Sequence, residues 1–388
     1  MKKISSAIFT IAFLVFINCK SDTRKAINPI QTQKFTSFDG LIDGFLNLKP
    51  TPKKSEVKDY FNSMAKTLNT AKDKLAKSIN EKGGKTTEGK NTDTAKEDNS
   101  TVSPVDDEIS TINDMIGEII DAANTIVKTV AETATEVMGE VVEVKSSSNV
   151  ATKADAKSVV GIAKGIKKIV EAAGIADKLT AEADKITKPS NEDSNNKEAG
   201  KMFSGKRGDQ GGRVIDSGAI PTEIGGGANP MDINKAAKAV KNVSGEQILG
   251  AIIAAAKAIE SGGEATIEGK NANEAKNPID AAIGGNDDSD ATAFTGNMEK
   301  DAQIAAAIVL RGMSKNGKFA VKMGREPSGD GNTIRALVKN AANKTVDALS
   351  KLVLKAINES LTKIAKTIKA SGEAANEAVN SNSPSVKF

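Results

Sequence analysis

The residue best equipped for covalent chemistry is Cys19, the one cysteine in a chain of 388 residues. It follows the apolar run 8–17, itself preceded by Met1-Lys2-Lys3. A cationic start, an apolar run of about ten residues and a processing point make up a secretory signal. The run falls short of the ~20 apolar residues that span a bilayer as a helix. A lone cysteine has no intramolecular disulfide partner. At the processing point its thiol can take lipid as a thioether. A secreted protein with a free thiol, or an uncleaved anchor, are the alternatives. Residues 1–18 therefore read as a signal peptide and 19–33 as a polar tether.

The remaining chemistry is limited by composition. Histidine is absent, and with it the commonest acid/base near neutral pH and a leading metal ligand. Ser-His-Asp and Cys-His catalysis are excluded, as are zinc sites built from His and Cys. Carboxylates and lysines remain, but no cluster singles any out. The chain is expected to be no enzyme, to hold no metal, and to carry no cofactor beyond covalent lipid on Cys19. Gly312 to Lys318 fits seven positions of a phosphate-binding loop, yet Phe319 stands where Ser or Thr should hold magnesium. A glycine-bracketed turn explains it better. Gly83-Gly84-Lys85-Thr86 fails because Ile79 replaces the first glycine. Asp287-Asp288-Ser289-Asp290 lacks the glycine and distal glutamate of a calcium loop. Arg207-Gly208-Asp209 could present a cation and a carboxylate to an integrin, or be merely a solvated loop.

Charge says little about partners. Removing residues 1–18 takes Lys2 and Lys3 from the +4 of the full sequence and leaves about +2. No global field steers the chain to nucleic acid, and one tyrosine with no tryptophan gives no stacking surface. With 38% hydrophobic and 27% charged residues the chain is globular in class. Its apolar content is mostly Ala, Ile and Val, which suits a core of small helix contacts.

Helical spacing dominates the pattern. Residues 34–48 carry one apolar face that includes Phe35, Phe38 and Phe45. Ser55 can cap a helix with Val57, Tyr60, Phe61, Met64, Leu68, Leu75 and Ile79 inward. After the polar stretch 82–103, Pro104 suits a helix start, and an apolar stripe runs from Ile109 to Val141. A third pattern covers 152–186, with breaks expected at its glycines. Residues 188–198 are polar and 201–229 rich in glycine, so both read as surface loop. Helix resumes behind Asp232 as cap, with a boundary at Ser244-Gly245. A second loop stretch, 261–296, contains a short helical interlude near Pro278. Ile304 to Leu310 is apolar all round and should be buried on most faces. Residues 326–331 read as a turn-rich break. A final regular helix follows from Ile334 to Ile368. The lysines at 339, 344, 351, 355, 363, 366 and 369 fall mainly off its stripe. They suit a wet bundle face, or an anionic membrane or glycan surface. No segment shows sustained strand alternation. The expectation is an all-α, elongated helical bundle with long helices toward both ends of the chain and glycine-rich loops between.

The stretch from Met298 to Lys322, MEKDAQIAAAIVLRGMSKNGKFAVK, resembles the segment shared by the variable large proteins (Vlp/Vmp) of relapsing-fever Borrelia and by VlsE of the Lyme spirochaetes. Phe35 to Gly40, Pro52 to Phe61, Val243 to Leu249 and Glu274 to Ile279 are similar to further phrases of that family. Leu14-Val15-Phe16-Ile17-Asn18-Cys19 resembles the loose lipobox of spirochaetal lipoproteins. The resemblance implies a lipoprotein of the cell outer membrane, facing the exterior and used in antigenic variation and evasion of host antibodies. It also implies a helical fold with both termini near the membrane and variable loops at the far end. On this reading 34–370 is a single helical domain. Residues 34–145 and 332–370 form its membrane-proximal stalk, 146–331 its distal variable part, and 371–388 a flexible tail. Its partners are the outer membrane, through the lipid anchor, and host antibodies. Host surface or serum proteins and a homodimer stay open, since a host-ligand binder using the same loops is the alternative.

Overall fold

The structure, a computed structural model, describes residues 11–13, 33–35, 52–83, 104–131, 135–144, 153–184, 195–204, 227–262, 268–285, 291–322 and 327–381. Two short strands, β1 (Ile11–Phe13) and β2 (Gln33–Phe35), pair antiparallel ahead of the body. Phe35, expected on a helix, thus lies in a strand; residues 36–51 lie outside the described residues.

The body is a bundle of helices, as its spacing predicts. Helix α1 (Lys54–Gly83) packs on α2 (Pro104–Ala131), and α2 on α3 (Ala156–Ala172). Helix α1 starts at Lys54 rather than behind Ser55, and the Lys53 N–H donates to Glu56 at its first turn. Pro104 opens α2, where its missing N–H is no loss. Gly174, at φ +72°, breaks the third pattern and separates α3 from α4 (Ala176–Asp184). Asn229, not Asp232, caps α5 (Pro230–Asn242). Asn229 accepts from the backbone of Met231 and Asp232, and Asp232 closes a capping box from the third position. Ser244 caps α6 (Gly245–Ser261) with a reciprocal Gln247 bond. After the short α7 (Pro278–Ile283) comes α8 (Asp301–Met313). The last helix, α9, runs Pro327–Ser381. Its 55 residues span about 80 Å. It starts inside the expected break, because Pro327 suits a first helical turn, and extends beyond Ile368, where the apolar stripe ends.

Strand structure is the main departure. Helix α2 stops at Ala131, and Val141 belongs to β3 (Glu140–Val144), which pairs in parallel with β4 (Lys318–Lys322). Valine-rich EVVEV suits an extended chain. Gly139 makes the turn into it at φ +70°, packed against Arg335 and Val338. Ala228 bridges the other edge of β4, donating to Ala320 O and accepting from the Lys322 N–H, both at 3.0 Å.

One apolar core joins these elements. Helix α6 packs against α3, α4, α8 and α9, so most of its residues from Ile248 to Ala256 are buried. Gly250 permits this approach: a Cβ there would sit 2.1 Å from Leu179 O. Helices α1 and α9 run in the same direction. Lys54 contacts Ser314 near the end of α8, whose Gly312 meets Val338, whereas Tyr60 bonds to Val346 and Ser350 farther along.

Candidate functional site

All thirteen residues of α8 are buried, including Asp301, Gln303 and Arg311. The expected burial of Ile304 to Leu310 therefore extends across the whole helix. An apolar helix in the middle of a body brings polar ends inside with it, and each end needs partners. Asn196 and Asn242 donate to the two oxygens of Asp301 at 2.7 and 2.8 Å, and Asn195 donates to Glu299 at 2.8 Å.

Three cations take the orphaned carbonyls of helix ends. Arg311 is fully buried. Its Nη1 donates to Ala281 O and Ala282 O in the last turn of α7, at 3.2 and 3.1 Å, and its Nε to Lys318 O of β4 at 2.8 Å. The guanidinium also lies over the rings of Phe203 (5.1 Å) and Phe319 (5.9 Å). Burial pushes its pKa well below the ordinary guanidinium range, down to about 9. Lys54 donates to Ser314 O just after α8 and to Glu136 at 2.6 Å. Lys344 donates to Val240, Lys241 and Val243 carbonyls at the end of α5. Burial lowers both lysines from their ordinary range, against the Glu136 contact in the case of Lys54. Lys344 was expected on a wet face and is half-buried instead. The boundary at 242–244 was the signal for it: a helix ending there leaves carbonyls to satisfy. Arg311 and Lys54 carried no motif.

Around Arg311 the flanks of three polar segments converge. Residues 195–204, expected as part of a surface loop, form a short 3₁₀ turn (Lys197–Phe203) with Ala199, Gly200, Met202 and Phe203 buried. Phe203 packs on Phe294 and Phe319, with ring centres 5.3 and 5.6 Å apart. Ala199, Met202 and Phe203 are too few apolar residues in a polar stretch to show a period, which is why spacing missed them. Phe203 on Phe319 and Ala228 on Val321 thus bring the described residues on either side of 205–226 to β4. Residues 263–267 and 286–290 enter and leave through 268–285 and 291–295. There Gly269 packs tightly on the Gly284 carbonyl, and the Thr295 hydroxyl donates to Asn273 O at 2.7 Å. Gly284, at φ +81°, leaves room for the guanidinium: a Cβ would lie 2.8 Å from Arg311 Nη1. The result is a rigid platform beside the first turns of α9.

Among the described residues no group of metal-ligating side chains comes together. The phosphate-loop pattern is filled with protein: a Cβ on Gly312 would strike Val338, one on Gly317 the Arg311 carbonyl, and Phe319 is in β4. Cys19, Arg207-Gly208-Asp209 and Asp287 to Asp290 lie outside the described residues. No helix among the described residues is long and apolar enough to cross a membrane.

Comparison with known proteins follows the same outline. The model of a family described as Borrelia lipoprotein matches residues 32–368. Variable large protein 4 of Borrelia hermsii is 28% identical, the alignment covering 97% of this chain and 98% of that protein. Variable large protein 17 of Borrelia hermsii is 25% identical over 90% of this chain and 87% of its own length. The crystal structure of the Lyme disease variable surface antigen VlsE of Borrelia burgdorferi is similar at a TM-score of 0.62, with 37% identity. It covers 86% of this chain and 93% of that one.

Proposed function

Because the chain belongs to the Borrelia lipoprotein family, we propose that it is a lipid-anchored antigen of the outer membrane, displayed to the host and varied to evade antibodies. The observation that carries this reading is the position of α8. The segment on which the family resemblance rests is buried at every residue of that helix, beneath a platform built from the described residues that flank three polar stretches, 205–226, 263–267 and 286–290. Substitutions in such segments cost little folding energy, since few packing constraints act there. Antibodies would meet the segments and not α8. The relatives are named as variable proteins and a variable surface antigen, which supports the same role here.

In this reading Cys19 carries the lipid. The platform faces outward, and the end where α1 gives way to α2 and α9 finishes faces the membrane. Pro52 lies near the platform, since its carbonyl accepts from the Met138 N–H. Residues 19–51 reach at most ~110 Å when extended, enough to return along the rod to a membrane-side Cys19. Two or three acyl chains, at ~0.8 kcal/mol per buried methylene, suffice as the anchor.

The test uses antibodies to two peptides, 301–313 and 205–226, on intact and on permeabilised, denatured cells. Surface labelling by the second alone is expected. Equal labelling by both on intact cells would sink the proposal, and retention of fatty-acid label by Cys19→Ser would refute the anchor.

A further inference from the structure

Helices α2 and α9 each carry a charged stripe on the face turned away from the core, and the stripes have opposite signs. On α2 the exposed residues Asp107, Asp114, Glu118 and Asp121 recur at steps of seven, four and three. Those steps keep them on one helical face. The buried Ile112, Ile116, Ile119 and Ala123 lie on the other. On α9 the exposed residues Lys351, Lys355, Lys363 and Lys366 face away from the buried Leu349, Val353, Ile357 and Ile364.

Internal pairing leaves much of this charge available. None of the four acids enters the ion pairs formed among the described residues, although Lys72 of α1 borders their stripe beside Gly117. Lys351 pairs with Asp347 at 2.7 Å and Lys355 with Glu359 at 3.8 Å, both within α9 and largely exposed. Lys363 and Lys366 are in neither pair.

The stripes also match in length and overlap in height. Fourteen residue steps on α2 span about 21 Å and fifteen on α9 about 22 Å. Tyr60 bonds to Ser350, and Lys72, twelve residues farther along α1, lies beside Gly117. At ~1.5 Å per residue, Gly117 is therefore level with about residue 362 of α9. Both stripes sit in the same stretch of the rod, on different helices.

We propose that these stripes form an interface between neighbouring copies of this chain, the acidic α2 face of one lying along the lysine face of α9 on the next. In upright, parallel copies Asp114, Glu118 and Asp121 stand level with about residues 365, 361 and 358 of α9, beside Lys355, Lys363 and Lys366, while Asp107 and Lys351 extend beyond the overlap at opposite ends. Each copy has one stripe of each sign, so the contact is heterologous and extends into rows. The small net charge of +4 adds little general repulsion. An anionic lipid or glycan would use the lysines alone and leave the acidic stripe without a role. Two matched stripes favour a second copy. The contact goes beyond the antigen reading and does not depend on lipid.

Sedimentation of the purified chain tests it in solution. Wild type should self-associate at 0.01 M salt and weaken about tenfold by 0.1 M, as the Debye length falls from ~30 to ~10 Å. Asp114→Lys with Glu118→Lys, and separately Lys363→Glu with Lys366→Glu, should each abolish association while circular dichroism stays unchanged. Mixing the two variants should restore it, as should combining all four substitutions in one chain. A monomeric wild type at low salt overturns the proposal. So does salt-independent association, loss in the lysine variant without loss in the acid variant, or failure of the mixture to associate.

Discussion

Arg311→Ala tests whether the platform depends on one buried cation. The substitution removes donors to Ala281 O, Ala282 O and Lys318 O, and empties the space over the packed rings of Phe203 and Phe319. Each orphaned buried acceptor costs about 1–3 kcal/mol. Losing the cation–π contact adds up to ~2 kcal/mol where the pair is desolvated. Against this, the folded state no longer bears the desolvation of a buried guanidinium, worth several kcal/mol. A net loss of about 3–5 kcal/mol follows, a large part of the ~5–15 kcal/mol that holds a domain. Urea unfolding followed by circular dichroism measures it. Arg311→Lys keeps a charge but not the planar fork, so its loss should be smaller, about 2 kcal/mol. Amide exchange should speed up first at β4 and α7 in both variants. If Arg311→Ala shifts stability by less than ~1 kcal/mol, or if Arg311→Lys is the worse of the two, the capping argument is wrong.

Tyr60 is the chain's single tyrosine, so tyrosinate absorbance reports on it alone. Burial raises its pKa far above 10; the unfolded state gives up this proton first, so this contribution to stability falls as pH rises above about 10. Absorbance should change only together with helix loss, and ionisation near pH 10 in a still-folded chain would refute the burial. Gly250→Ala places a methyl against the Leu179 carbonyl and should cost about 1–3 kcal/mol. Gly174→Ala meets open space, and only its φ of +72° resists the change, at ~1 kcal/mol; a reversed order in thermal melts would contradict the packing of α4 on α6. The antigen reading expects Asp209→Ala to leave capture of serum and matrix proteins unchanged. A clear loss would make Arg207-Gly208-Asp209 a ligand contact instead.

Where residues repeat at helical spacing over many turns, sequence and structure agree closely. The boundaries at Pro104, Gly174, Ser244 and Pro278 follow from local chemistry: a proline at a helix start, a glycine at positive φ, a serine with a glutamine three residues on. Elements whose stability is borrowed from neighbours were not legible. The five-residue strands β3 and β4 are too short for a period to show, and hold only because each edge finds its partner. Phe203 and Phe294 are isolated aromatics in polar stretches. Phe203 is buried by meeting Arg311 and Phe319, and Phe294 by meeting Phe203, all contacts between residues far apart in the chain. The candidate site shares this limit, since its residues come from 195–204, 268–295 and 301–322.

Cys19 and the composition determine the classes of chemistry open to this chain, because covalent chemistry depends on residue type before it depends on position. A chain without histidine and with one cysteine lacks the residue types for Ser-His-Asp and Cys-His catalysis and for zinc sites built from His and Cys. Helical periodicity likewise determines which faces turn inward, since the apolar stripe must leave water wherever its partner comes from. Only the tertiary structure decided which helix became the wholly enclosed one and how its ends were satisfied. Burying α8 strands carbonyls and charges that no local motif can serve. Lys54 reaches the end of α8 across 260 residues of chain, while Arg311 of α8 serves α7 across about 30 and Lys344 serves α5 across about 100.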